Sequence, residues 1–143
     1  MYKASIGFKK NLIPFSILIT MLINYNVASA QQKEMMVRVS EIEIATDYLE
    51  EYKAILKEEA EASVKLEPDV ISIFPMYQKN NPTQVRILEI YASRDAYESH
   101  LKTPHFQKYK TTTLKMVKSL KLVEMEAIDA ETMAKIFEKM KKR

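Results

Sequence analysis

Two apolar runs face each other across a turn near the middle of this chain, and that hairpin constrains the fold more than any other stretch. Val70 to Gln78 (VISIFPMYQ) and Gln84 to Ala92 (QVRILEIYA) flank Lys79-Asn80-Asn81-Pro82-Thr83, where asparagines and a proline make the reversal that glycine often makes. In the second run Val85, Ile87, Glu89 and Tyr91 alternate onto one face, and Arg86, Leu88, Ile90 and Ala92 onto the other. Pro75 has no N–H to give a ladder, so the first run is expected at a sheet edge or at a bulge. Both runs are apolar on both parities, which predicts cover on both faces of the sheet.

On each side of the hairpin lies one helical pattern and one strand. Met36 to Ile44 (MVRVSEIEI) alternates with Val37 and Val39 on one parity and Ile42 and Ile44 on the other, which predicts a β-bulge near Ser40-Glu41 or two partly buried faces. Asp47, followed three residues later by Glu50, reads as a helix N-cap with a capping-box partner. The helix it opens sets Tyr48, Tyr52, Ile55, Leu56, Ala62 and Leu66 along one face, and Glu67-Pro68-Asp69 ends it. After the hairpin, Ser93 reads as a second cap, with Asp95 in the first turn and Ala96, Tyr97, His100 and Leu101 along the inner side. Thr103-Pro104 breaks and restarts this helix, and Phe106, Tyr109, Thr113 and Met116 or Val117 continue the stripe. Ser119 to Ala127 is a fourth strand, and Ala130 to Arg143 a short amphipathic helix with a basic end.

The order β-α-β-β-α-β plus a tail helix predicts an α+β, ferredoxin-like split βαβ fold: a four-stranded antiparallel sheet with its helices on one face. The bare face then calls for a second copy, so a homodimer is expected.

Residues 1–30 read differently. Lys3, Lys9 and Lys10, an apolar run from Leu12 to Ile23, and Val27-Ala28-Ser29-Ala30 have the layout of a signal peptide cleaved after Ala30. Asn24 and Asn26 interrupt the run short of the roughly 20 apolar residues a membrane span needs. The expected organisation is therefore 1–30 signal peptide, 31–129 folded domain and 130–143 C-terminal helix, with the product exported to the periplasm or beyond and free of the membrane. Of 22 basic and 19 acidic residues, three basic and no acidic ones lie in 1–30, leaving 19 of each. A neutral chain with no Lys/Arg stripe argues against a nucleic-acid partner. With no cysteine, disulfides, thiolate nucleophiles and thiolate metal sites are excluded, and with Gly7 the only glycine, so is a glycine-rich phosphate cradle.

Glu89-Ile90-Tyr91 followed by Ala96-Tyr97-Glu98-Ser99-His100-Leu101-Lys102-Thr103-Pro104-His105-Phe106 resembles the ABM (antibiotic biosynthesis monooxygenase) domain, which pairs a glutamate-bearing strand with an F-x-x-H-L-x-[ST]-P-H-F helix. The resemblance runs from about Met36 to Ile128. Tyr97 stands where phenylalanine is frequent, and Asp69 departs from the usual Glu-Pro-Gly. It implies a dimeric α+β barrel and small oxygenases that work without metal, haem or flavin on quinols or polycyclic phenols. For such a reaction His100 is the candidate base, since imidazole exchanges protons near neutral pH. Tyr91, Tyr97, Phe106 and Tyr109 are candidates for an aromatic slot, with Glu89 orienting a histidine or a substrate hydroxyl and His105, at the restart of the helix, a further substrate-binding candidate. Two histidines five apart with Pro104 between them share no helical face, and no carboxylate cluster completes a shell, so no metal site is expected. Beside the exported, cofactor-free monooxygenase stands another reading: a non-catalytic dimeric domain that binds a small apolar ligand or a protein partner.

Overall fold

The computed structural model describes residues 34–142. The expected signal peptide and its cleavage point lie outside them. The described elements are β1 (Met36–Ile44), α1 (Leu49–Leu66), β2 (Val70–Gln78), β3 (Asn81–Tyr91), α2 (Arg94–His100), α3 (Pro104–Thr113), β4 (Val117–Met125) and α4 (Glu131–Lys141). One-turn 3-10 segments, Thr46–Tyr48 and Leu114–Met116, precede α1 and β4. The strands form one antiparallel sheet in the order β2-β3-β1-β4, with α1 against β2 and α3. This is the ferredoxin-like arrangement that the order of patterns predicts. Pro75 sits on β2, an edge strand, where a missing N–H costs least.

Of the two readings of β1, the bulge near Ser40-Glu41 is absent and the strand instead has one buried and one half-buried face. Its pairing with β3 runs unbroken from Met36↔Tyr91 to Glu43↔Gln84, and its only irregularity is toward β4, between Glu43 and Ile44. One parity, Met36, Arg38, Ser40, Ile42 and Ile44, is buried throughout. Two polar side chains thus occupy core positions, and Val37 and Val39 turn to the opposite, half-covered face. Opposite Met36, Arg38, Ser40 and Ile42 on β3 stand Tyr91, Glu89, Ile87 and Val85, all buried, as the alternation predicts.

In α1 the expected cap and stripe both shift. Asp47 falls inside the leading 3-10 turn, and Tyr48 takes the N-cap position with no side-chain bond. The buried face is Tyr52, Leu56, Glu59, Ala60 and Ser63, whereas Leu66 is exposed. Full burial of a side chain such as Tyr52 contributes about 2 kcal/mol, which anchors the helix despite its weak cap. The caps foreseen for the later helices are present: Ser93 Oγ accepts from Ala96 N at 3.1 Å, and Thr103 Oγ1 from Phe106 N at 3.4 Å with Pro104 at the first helical position.

The sheet face away from the helices carries exposed Phe74, Met76 and Met125. The α4 helix buries none of its residues and exposes Ile136, Phe137 and Met140. Among the described residues, no helix is long and apolar enough to cross a membrane.

Candidate functional site

Between the sheet and the helices lies a chain of buried polar groups. Its sheet half is centred on Glu89. Arg38 Nη2 and Nε donate to Glu89 Oε2 at 2.6 and 3.2 Å, the Tyr91 hydroxyl donates to the same oxygen at 2.8 Å, and Ser40 Oγ donates to Oε1. Cross-strand register explains the meeting, because Arg38 and Glu89 are direct partners on β1 and β3. Burial opposes the guanidinium charge, but Tyr97 and Glu89 outweigh it and hold the Arg38 pKa above its ordinary value. The same guanidinium lies 4.3 Å from the centroid of the Tyr97 ring. Burial first, and then the charge of Glu89, push the Tyr91 hydroxyl far up. Glu89 therefore serves Arg38, Ser40 and Tyr91; among the described residues neither histidine and no lysine is on it, and Arg86 bonds Gln84 and the Val85 carbonyl instead.

The helical half is centred on Glu67, the C-cap residue of α1. His100 Nδ1 lies 2.9 Å from Glu67 Oε1, and His105 Nε2 lies 2.6 Å from the same oxygen. As a carboxylate, Glu67 accepts from both rings. On its other side the His100 ring turns Nε2 toward Glu59 Oε1, at 3.6 Å and so beyond an ordinary hydrogen bond. Glu59 Oε1 is itself held by Ser63 Oγ at 2.7 Å. Burial raises the Glu59 pKa, while Ser63 and His100 act against that. Side-chain exposure grades outward: His100 3%, Glu59 5%, Glu67 14%, His105 18%. The inner histidine and Glu59 are sealed, and the outer pair reaches solvent.

Aromatic rings enclose this chain. His100 is 4.7 Å from Phe106 and 5.5 Å from Tyr91 between centroids, and Tyr91 is 5.4 Å from Tyr97. Tyr109 lies further along α3, 6.2 Å from Phe106, and its hydroxyl meets that of Tyr52 at 2.7 Å. Burial pushes Tyr109 up to about 12. A groove of about 410 Å³ lies elsewhere, over Lys57, Ala60, Glu61, Val64, Lys65, Ile73 and Pro75, and contains none of these groups.

The structure thus brings His100, His105, Phe106, Tyr91 and Tyr97 together, with Tyr109 at the margin and Glu89 one tyrosine removed from the histidines. Arg38, Ser40, Glu59, Ser63 and Glu67 belong to the same cluster without having stood out in the sequence. Polar residues at core positions of an otherwise apolar alternation were the available signal for Arg38 and Ser40, as Glu59 and Ser63 at i, i+4 were on α1. Nothing in the local pattern of Glu67-Pro68-Asp69 points past a helix stop.

The family model described as antibiotic biosynthesis monooxygenase matches residues 35–112. A solved structure from Bacteroides thetaiotaomicron, of a protein named for the same family, is 49% identical, with 67% of this chain and 91% of that one covered and a TM-score of 0.67. A candidate monooxygenase from Lactobacillus acidophilus is 28% identical over 66% of this chain and 45% of its own, with a TM-score of 0.64. A protein from Nitrosomonas europaea, at 22% identity over 69% and 95% of the two chains and a TM-score of 0.64, shares the fold. No curated protein matches.

Proposed function

The chain belongs to the antibiotic biosynthesis monooxygenase family, and from that premise we propose that it is a monooxygenase acting without a bound cofactor on a quinol-like or phenolic small molecule. The observation that carries this reading is the carboxylate–imidazole pair, Glu67 Oε1 with His100 Nδ1 at 2.9 Å, set among aromatic rings. A carboxylate on one ring nitrogen orients the imidazole and stabilises the cation that forms when the other nitrogen takes a proton. His100 Nε2 is that other nitrogen.

In this account His100 removes the phenolic proton and the resulting anion, rich in electrons, reduces dioxygen. The O–O bond breaks, one oxygen atom replaces a ring hydrogen, the other leaves as water, and the substrate supplies all four electrons and ends as a quinone. Tyr91, Tyr97 and Phe106 supply flat apolar surface for the ring, His105 and Glu67 the rim, and Arg38 with Glu89 fixes Tyr91 and Tyr97 from below. Two further parts of the proposal concern the setting: residues 1–30 direct export, and the apolar sheet face with Phe74, Met76 and Met125 pairs with a second copy.

The test is oxygen uptake by the purified protein with simple quinols. Uptake above the spontaneous rate that falls at least a hundredfold in His100→Ala supports the role of His100, on the scale that general-base catalysis usually carries. Equal rates for the two proteins refute it. A second reading, a dimeric binding domain without catalysis, is favoured by one observation: His100 is 2% exposed and packed against rings, so its surroundings are filled. Tight binding of phenols with no oxygen uptake would select that reading.

A further inference from the structure

We propose that Glu67, His100 and His105 form a binding site for one divalent transition-metal ion of the zinc class. Each residue presents one ligand atom, and the three atoms lie within 4.8 Å of one another. Two imidazole nitrogens and one carboxylate oxygen are the donor set that borderline ions such as Zn²⁺ and Co²⁺ prefer, with a fourth position left open. Calcium and magnesium, which want shells of oxygen, are poorly served by it.

The two carboxylate–imidazole distances need little change, while the His100 and His105 nitrogens, within 4.8 Å of each other, close to the spacing of a tetrahedral shell. In a tetrahedral shell with bonds of about 2.0–2.1 Å, neighbouring ligand atoms stand roughly 3.3 Å apart. The observed 2.9 Å for His100 Nδ1 and 2.6 Å for His105 Nε2 to Glu67 Oε1 therefore open by about half an ångström as the ion replaces the shared protons. The three ligands come from the end of α1, the end of α2 and the start of α3. Thr103 Oγ1, bonded to the His100 carbonyl at 2.8 Å, ties the last two together.

A separate observation supports the site. Metal-bound histidines ordinarily place their other ring nitrogen on a carboxylate or carbonyl, which fixes the tautomer and strengthens the ligand. Glu59 stands in that place: with Nδ1 on the metal, the His100 proton moves to Nε2, which faces Glu59 Oε1 at 3.6 Å, and Ser63 Oγ holds that carboxylate oxygen at 2.7 Å. Charge favours a cation as well, because neither Glu59 nor Glu67 is paired with a lysine or arginine among the described residues.

This inference does not rest on the oxygenase reading. A loaded site keeps a proton on His100 Nε2 and so removes the base, which makes the ion an inhibitor wherever oxygenation occurs. The chain has two histidines and no cysteine, so no second imidazole or thiolate site competes.

The experiment is calorimetric titration of the chelator-treated full-length protein with zinc chloride, repeated with cobalt chloride while recording visible absorption. One ion per chain is expected, with the strong visible bands of low-coordinate cobalt. Glu59→Gln weakens binding roughly 10- to 100-fold, and His105→Ala and Glu67→Gln, checked for folding by circular dichroism, each remove a ligand and weaken it more. Absence of saturable binding to the intact protein overturns the proposal, as does unchanged binding by the folded His105→Ala and Glu67→Gln proteins.

Discussion

Replacing Arg38 with methionine keeps the apolar stem of the side chain and removes the guanidinium, leaving the Glu89 carboxylate sealed from solvent and held only by the Ser40 and Tyr91 hydroxyls. Both members of the pair are nearly inaccessible, with side-chain exposures of 7% and 8%. A buried charge that loses its partner costs about 3–5 kcal/mol. For a domain near this size each kcal/mol lowers the melting temperature by about 4 °C, so Arg38→Met should melt roughly 12–20 °C below the parent. Arg94 and Glu124 provide the contrast. Their contact is nearly as short, 2.8 Å against 2.6 Å, but the side chains are 57% and 64% exposed. Arg94→Met should cost far less than Arg38→Met, because solvent screens an exposed pair. Adding Glu89→Gln to Arg38→Met removes the stranded charge and keeps an oxygen acceptor for one of the two hydroxyls. The double variant should then recover about 2 kcal/mol relative to the sum of the single changes. Urea denaturation followed by circular dichroism measures the parent, the single variants Arg38→Met, Glu89→Gln and Arg94→Met, and the double variant. If Arg38→Met costs no more than Arg94→Met, the buried pair does not hold the sheet half of the site together and the reasoning fails.

Two further outcomes follow from the tyrosines of α1 and α3. Tyr52→Phe strands the Tyr109 hydroxyl that now meets it at 2.7 Å, and should cost about 1–2 kcal/mol in urea denaturation, while a loss under 0.3 kcal/mol would mean the bond contributes nothing. Tyr109 titrates at about 12 in the folded chain and near 10 when unfolded. Above about pH 10 the unfolded chain gives up this proton first, so stability is full below that pH and falls by up to ~1.4 kcal/mol per pH unit until about 12. Tyr109→Phe should flatten that part of the stability profile, and an unchanged alkaline slope would contradict the assignment.

The architecture was legible because its signals are local. Period-two alternation set the face of Glu89 and Tyr91, and Ser93, Thr103 and Pro104 marked helix starts through bonds that span three residues. Asp47 misled because a 3-10 turn intervened before α1 and left its side chain outside the helix. In β1 the change of apolar parity left the buried face undecided, since Arg38 and Ser40 enter the core only by meeting Glu89, about fifty positions further on. Periodicity counts apolar residues and has no way to credit a polar one whose partner lies on another strand. Glu67 shows the same limit more sharply. Its local role is to end a helix, and its reach to His100 and His105 exists only once α1, α2 and α3 are packed together. The sequence therefore carried the two histidines and the aromatic rings, and tertiary packing alone supplied the carboxylate that joins them.

The proposal that His100 is a base for oxygenation is tested most directly by running the reaction with a quinol under isotopically labelled dioxygen and weighing the product. The account predicts one labelled oxygen atom in the product and the other in water, with labelling lost in His100→Ala. An unlabelled product, or labelling that survives the loss of His100, would contradict it.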